Sequence, residues 1–379
     1  MIISKLPNVT TTIFTVMSKM AKDYGAINLS QGFPDFPSDS LLTQYVSEAM
    51  DAGHNQYAPM QGDLGLREII TQKTQSLYGR TYDPNTEITI TAGATQAIFT
   101  AIAATINKGD EVIVFSPAYD CYEPAIELFG GISVPIQLRP PSYAPDWDKV
   151  AHHITDRTKM IMVNTPHNPS GAILSEDDML QLQALAEKHN LWVISDEVYE
   201  HIIFDGHAHQ SAARFEGLSK RSFITASFGK TFHNTGWKMG YCLAPEPLMS
   251  EFQKVHQYNV FSVHHPAQKG LAKYLQKESH YLSLPVFYQQ KRDALLHLIK
   301  DSRFNILPAK GTYFQLLDYS AISDEGDVAF AERLTKEHGL ATIPTSVFNK
   351  NQEDFKQIRV CFAKKEETLT AAANILNGL

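Results

Sequence analysis

Lys230 stands in Ser227-Phe228-Gly229-Lys230-Thr231-Phe232, just after an apolar run, with Trp237-Lys238-Met239-Gly240 close behind. Desolvation and a neighbouring cation both disfavour an ammonium, so a lysine in such surroundings can lose its proton and attack a carbonyl. A lone lysine is more often a solvated surface group, and a serine three residues before it is a weak motif. Four further clusters, each following a β-rich run, shift the balance. Thr91-Ala92-Gly93-Ala94-Thr95-Gln96 opens an apolar helix, whose outward backbone N–H groups suit a phosphate unless the glycine serves only the turn. Ser116-Pro117-Ala118-Tyr119 brings a ring that can stack on a planar ligand or simply line the core. Asn164-Thr165-Pro166-His167-Asn168-Pro169-Ser170-Gly171 is a stiff loop in which the Asn168 amide can donate to a ligand oxygen, with Asn168-Pro169 a candidate cis bond. Ser195-Asp196-Glu197-Val198-Tyr199 sets a carboxylate where a cationic ring nitrogen could be held, or where a helix could be capped. In the Lys230 segment itself, the Ser227 hydroxyl and the Lys238 ammonium can both reach a phosphate.

These side chains need a scaffold that brings strand ends together. Short β-rich runs at 88–91, 111–115, 159–163, 191–195, 222–226 and 241–244 alternate with stretches long enough for crossover helices. Such alternation predicts an α/β fold with an open, mainly parallel sheet, and in such sheets ligands bind beyond the carboxyl ends of the strands. Ser38 or Asp39 can cap a helix reaching about Ala52. A polar stretch over 276–292 predicts a helix leaving the sheet, followed by a smaller region with strands at 306–307, 313–317, 341–343 and 358–362. The predicted division is an N-terminal arm with part of a small domain (1–40), a large ligand-binding domain (41–280) and a small C-terminal domain (281–379).

Composition narrows the classes of function. With 379 residues and 43% hydrophobic content, two domains are expected. A net charge of −8, from 41 acidic against 33 basic residues without a basic stripe, argues against nucleic acid. Cys121, Cys242 and Cys361 are widely spaced in apolar segments and read as reduced thiols, which favours the cytoplasm. The first 20 residues have no continuous apolar core, so neither a signal peptide nor membrane association is expected. His207 with His209, or His264 with His265, lack the partners of a metal site, and no metal is expected.

A phosphate cradle, a stacking ring, an amide donor, a carboxylate and an amine, in that order at successive strand ends, have one economical ligand: pyridoxal 5′-phosphate. At this point the chain resembles the class I/II aminotransferases of the aspartate aminotransferase-like, fold-type I group, and within them the branch of methionine and kynurenine aminotransferases. The resemblance spans nearly the whole chain. It rests on Leu29-Ser30-Gln31-Gly32-Phe33-Pro34-Asp35, Asn55-Gln56-Tyr57 before Gly62, Asn168-Pro169-Ser170-Gly171, Ser195-Asp196-Glu197-Val198-Tyr199, Ser227-Phe228-Gly229-Lys230 and Ile358-Arg359-Val360. It implies a large domain with a mainly parallel seven-stranded sheet and a smaller α+β domain.

Carried over residue by residue, the resemblance makes Lys230 the cofactor's covalent anchor and the base that shuttles a proton at the substrate α-carbon. Asp196 would hold the pyridine nitrogen, Asn168 and Tyr199 the ring oxygen, and Tyr119 would stack on the ring. Ser227, Lys238 and the backbone at Ala94 and Thr95 would take the phosphate, with Tyr57 reaching across from the second subunit of a homodimer. Arg359, otherwise readable as a solvated arginine on an edge strand, would clamp the substrate carboxylate in a fork that lysine cannot reproduce, aided by Asn168 and a Gly32 backbone donor. Phe14, Phe33 and Tyr313 are candidate walls of the side-chain pocket. Relatives often have arginine at the place of Lys238 and asparagine at that of His167. No second arginine is evident for a dicarboxylate side chain, so methionine and aromatic or other neutral amino acids are the expected donors to a 2-oxo acid. Kynurenine or glutamine transamination and cysteine-conjugate β-elimination are the alternatives on the same scaffold.

Overall fold

The alternating runs become a seven-stranded sheet in the computed structural model, which describes residues 2–379. After the short β1 (Ile27–Asn28), its strands are β2 (Ile88–Thr91), β3 (Glu111–Ser116), β4 (Ile132–Gln137), β5 (Thr158–Asn164), β6 (Trp192–Asp196), β7 (Ser222–Ser227) and β8 (Gly240–Leu243). They lie in the order β2-β8-β7-β6-β5-β3-β4, and β8 alone runs antiparallel to its neighbours. Strands β2, β3 and β8 are buried at every residue, as expected for a sheet covered on both faces. Six of the seven match runs legible in the sequence. The seventh, β4, forms the sheet edge, exposes Ile132 and contains Pro135, so it lacks the continuous apolar signal of its neighbours.

Four helices frame the first third of the chain: α1 (Ile13–Asp23), α2 (Ser40–Asp51), α3 (Leu64–Tyr78) and α4 (Gly93–Thr105). Asp39 caps α2, accepting from the Leu41 N–H at 2.8 Å, and α3 is capped by Asp63 in front and by left-handed Gly79 behind. The predicted helix over 276–292 is broken, with a single turn at Ser279–Leu282 and then a helix over Leu284–Leu298 that has Pro285 in its first turn.

The remaining strands are β9 (Phe314–Asp318), β10 (Leu340–Ala341), β11 (Ile343–Pro344) and β12 (Gln357–Cys361). β12 lies between β11 and β9 in an antiparallel sheet, and β10 pairs in parallel with β1, which joins the N-terminal stretch to the C-terminal region. The expected strand at Ile306–Leu307 is not one: the Leu307 side chain is exposed and the only pairing there is a bridge from Asn305 to Asp318. No helix among the described residues is long and apolar enough to cross a membrane.

Two glycines let the sheet close around its cleft. Gly93 enters α4 with φ +76°, and a Cβ on Gly240 would sit 2.5 Å from the Ala226 carbonyl oxygen and 3.0 Å from the Gly93 Cα. Backbone, not a flexible side chain, blocks that position. Gly240→Ala is therefore predicted to lower the unfolding free energy by about 1–3 kcal/mol, the usual penalty of overpacking, read from the denaturant midpoint; an unchanged midpoint would contradict the close crossing.

Candidate active site

The carboxyl ends of β2, β3, β5, β6 and β7 open into a cavity of about 300 Å3, closed from the other side by the N-terminal stretch and by β9 and β12. Among the residues proposed from sequence, Phe14, Gly32, Phe33, Ala94, Thr95, Tyr119, Asn168, Asp196, Tyr199, Ser227, Lys230, Lys238 and Arg359 all line it. Two do not. Tyr57 is 80% exposed and packs edge-on to Phe261, outside the cavity. Tyr313 is fully buried behind the wall, so it is not a pocket wall as expected; its hydroxyl donates to the Gly32 carbonyl at 2.6 Å and its ring meets Tyr199 edge-on at 5.2 Å.

The end of β2 supplies an anion cradle. Gly93, Ala94 and Thr95 form the first turn of α4, where backbone N–H groups have no intrahelical acceptor, and Ala92 in front of them has no side chain to cap them. The positive helix end and those donors favour a dianion such as a phosphate ester. Lys238, left-handed at φ +55° and exposed, runs its side chain over Gly93, with Cδ 3.4 Å from where a Cβ would be. Ser227, at the end of β7, caps the turn that carries Lys230 by accepting from its N–H at 3.3 Å.

Lys230 points its amine into the cleft, where Nζ donates to the Gly32 carbonyl at 3.2 Å and lies 5.9 Å from the Tyr199 ring centre. Burial, then the Arg359 and Lys238 cations, pull its pKa down to about 8 against the opposing pull of Cys361 and Asp196. Asp196, 4% exposed, has its carboxyl pushed up to about 6 by burial, although the Tyr122 hydroxyl and the Val198 N–H donate to it. A cationic N–H facing this carboxylate from the cavity would supply the charge that burial leaves uncompensated. Tyr122 did not stand out in the sequence, since nothing in its spacing separates it from an ordinary core aromatic.

Asn168 and Arg359 meet across the cleft. Arg359 is 1% exposed on the central strand β12, not on an edge strand, and its guanidinium stacks 3.8 Å from the Phe314 ring centre. Nη1 donates to the Asn168 Oδ1 at 2.7 Å and Nη2 to the Ser30 carbonyl at 3.0 Å, while Nε is buried with no partner among the described residues. An orphaned guanidinium N–H in a closed site fits a carboxylate ligand. The bond from Arg359 fixes the Asn168 amide with its Nδ2 free to donate. Asn164 holds the base of that loop, accepting from the Asn168 N–H at 2.8 Å and donating to the Asp196 carbonyl at 2.9 Å. The Asn168-Pro169 bond is cis, as are Ser116-Pro117 and Thr165-Pro166 in the neighbouring turns. His167 is tied to Ser170 and to the Pro117 carbonyl, and burial pushes its pKa down to about 4. Phe14 leans over Arg359 at 5.3 Å and over Tyr119 at 6.5 Å, while Gln31 ties α1 to the Gly32 turn by donating to the Phe14 carbonyl at 3.2 Å.

Comparison with known proteins agrees over the whole chain. The family model for aminotransferase class I and II matches residues 24–376. Methionine aminotransferase of Escherichia coli (strain K12) is 51% identical over 377 residues, covering 99% of this chain and 98% of the relative. Kynurenine–oxoglutarate transaminase 1 of Rattus norvegicus is 33% identical over 403 residues, covering 97% and 95%. Among solved structures, YbdL from Escherichia coli, described as having a methionine aminotransferase function, superposes with a TM-score of 0.98 at 51% identity over 100% of both chains. N-succinyldiaminopimelate aminotransferase from Mycobacterium tuberculosis gives 0.95 at 33% identity, again over 100% of both.

The depressed Lys230 pKa has a thermodynamic signature. Between about 8 in the folded protein and 10.5 in the unfolded chain, the unfolded state binds more protons, so this group's contribution to stability rises with pH across that window. Below it, the full penalty of burying an ammonium applies. Lys230→Met should stabilise the ligand-free protein at pH 7 by up to about 3 kcal/mol, with the gain shrinking between pH 8 and 10.5 in denaturant titrations. A gain that stays constant over that interval, or a loss at pH 7, would contradict a desolvated amine.

Proposed function

The chain belongs to the class I and II aminotransferase family, and from that premise we propose that it is a pyridoxal phosphate enzyme moving the amino group of methionine, and of aromatic or other neutral amino acids, to a 2-oxo acid. The observation that carries this reading is the convergence of the Lys230 amine, the Asp196 carboxylate and the Arg359 guanidinium on one cavity. When bound, pyridoxal phosphate supplies a carbonyl that takes the amino group and a pyridinium ring that draws electrons from the substrate α-carbon.

The chain's residues do the rest. The first turn of α4 at Ala94 and Thr95, the Ser227 hydroxyl and the Lys238 ammonium bind the phosphate, and Tyr119 covers the ring. Asp196, with the Tyr122 hydroxyl behind it, keeps the ring nitrogen protonated, while Asn168 and Tyr199 donate to the ring oxygen. Arg359 grips the α-carboxylate through the N–H groups that Asn168 and Ser30 leave free, which fixes the α-carbon beside Lys230. With a pKa near 8, Lys230 is partly uncharged at neutral pH, and its Nζ takes the α-proton and returns it on the other side of the reaction. Both half-reactions use the same Arg359 grip, because amino acid and oxo acid share the carboxylate.

The substrate preference follows from what faces the free space. Arg359 is the only arginine lining the cavity, so a second carboxylate finds no fork, whereas Phe14, Phe33, Tyr119 and Phe314 offer apolar ring surface. Sulfur–aromatic contacts contribute about 0.3–1.5 kcal/mol each, enough to favour a thioether over an isosteric alkyl chain. The 51% identical relative named methionine aminotransferase supports the same choice. The proposed unit is a homodimer with shared sites, in which Tyr57, exposed beside Phe261, would reach the site of the second copy. Three free cysteines fit a cytoplasmic setting.

Mixing the loaded protein with single amino acids and no oxo acid should convert its visible absorbance to that of the amine form of the cofactor with methionine and phenylalanine but not with aspartate. The reverse order would refute the proposed preference. Arg359→Lys should lower kcat/KM by about ten- to a hundredfold, equivalent to losing one charge-assisted hydrogen bond, for both the amino acid and the oxo acid. An effect confined to one of the two would refute the shared grip.

A further inference from the structure

The stretch Ser195–His201 has two faces. Asp196 and Tyr199 border the cavity, whereas Ser195, Glu197, Glu200 and His201 are buried and do not. The Glu197 carboxylate accepts from the Ser195 hydroxyl at 2.7 Å and the Ala212 N–H at 2.9 Å, and lies 2.9 Å from the His209 Nε2. Glu200 accepts from the Lys73 ammonium at 2.5 Å, the Tyr78 hydroxyl at 2.6 Å and the Tyr241 hydroxyl at 3.1 Å. Lys73 also donates to Tyr241 at 2.8 Å, and the side chains of Lys73 and Glu200 are each 5% exposed. Burial alone would push the Glu200 carboxyl up, but the Lys73 ammonium beside it and the hydrogen bonds from Lys73 and Tyr78 hold it well below the usual carboxylate range.

A buried ion pair is weak evidence for stability, since well-packed apolar side chains often serve as well. Its placement is the informative part. Glu200 follows Tyr199 directly, and Lys73 and Tyr78 reach it from α3. Tyr241, on β8, sits opposite Ala226 of β7, and its ring lies 5.2 Å from Phe228, two residues before Lys230. Glu200, one residue after Tyr199, is thus hydrogen-bonded to Tyr241, and Tyr241 meets the Ser227–Lys230 segment through the β7–β8 pairing and the Phe228 ring contact.

We infer that the Lys73–Glu200 pair with Tyr78 and Tyr241 is a positioning element for the active site, fixing Tyr199 and Asp196 relative to Lys230 without touching ligand. The inference rests on the cofactor reading above. The test compares wild type with Lys73→Met/Glu200→Leu, a double variant that leaves no lone buried charge. Three quantities are measured: near-ultraviolet circular dichroism, the Kd for pyridoxal phosphate, and the pH midpoint of the loaded protein's visible absorbance. The expected result is a folded variant whose Kd is weaker by about tenfold, equivalent to one misplaced charge-assisted hydrogen bond, and whose midpoint moves up because donors to the ring oxygen are displaced. A folded variant with lower melting temperature but wild-type Kd and midpoint overturns the inference, because the pair is then only structural. Failure of wild type to bind pyridoxal phosphate overturns the cofactor reading along with it. Should the double variant not fold, Lys73→Met/Glu200→Gln, which keeps an acceptor for both tyrosines, is judged on the same three readings.

Discussion

Two basic side chains, the half-buried Lys230 and the fully buried Arg359, line one cleft with the Asp196 carboxylate, and the rest of the structure is arranged around that electrostatic constraint. A charge removed from water is stable only if it is paired, stacked or neutralised. Arg359 cannot give up its proton, so it is stacked on Phe314 and bonded to Asn168 and Ser30. Lys230 can, and with Arg359 and Lys238 near it the neutral amine becomes accessible close to physiological pH. Chemistry at a carbonyl is thus a consequence of where the lysine is buried.

Holding such a set together requires contributions from both ends of the chain. The sheet delivers Asp196, Asn168, Tyr119 and Lys230 at the carboxyl ends of its parallel strands, while Arg359 arrives on β12 and Gly32 follows β1, which pairs with β10. Lys230, donating to the Gly32 carbonyl, and Arg359, donating to the Ser30 carbonyl, bond the N-terminal stretch from opposite sides. The stretch that covers the cleft is therefore bonded to both basic side chains. The Tyr313 hydroxyl on Gly32 reinforces the same joint.

Much of this was legible because the chemistry sits at strand ends. Burial makes β2, β3 and β5 to β8 rich in apolar residues such as Ile, Val, Met and Phe, and the polar residues just beyond each run then stand out. The edge strand β4, with Pro135 and an exposed Ile132, carries no such contrast. The Ile306–Leu307 pair carried a false one, two apolar residues in a connection that leaves Leu307 in solvent. Residues acting behind the wall were invisible for a different reason. Lys73 and Glu200 have ordinary sequence surroundings and become significant only where α3 and β8 meet the turn after β6, as Tyr122 does only where its hydroxyl meets Asp196. Tyr313 reads from the sequence as a pocket wall but lies one layer behind it, just before β9, because a sequence does not give the depth of a ring. The reverse holds for Arg359: its alternating apolar neighbours suit an edge strand as well as a central one, and only the pairing of β12 on both sides decides.

Reductive trapping addresses the buried amine most directly. Protein saturated with pyridoxal phosphate is treated with borohydride, digested and mapped by mass spectrometry. The predicted result is one reduced cofactor per chain, on the peptide containing Lys230. Label on another lysine, or none with the cofactor bound, would contradict the assignment of Lys230 as the group that the fold desolvates for this chemistry.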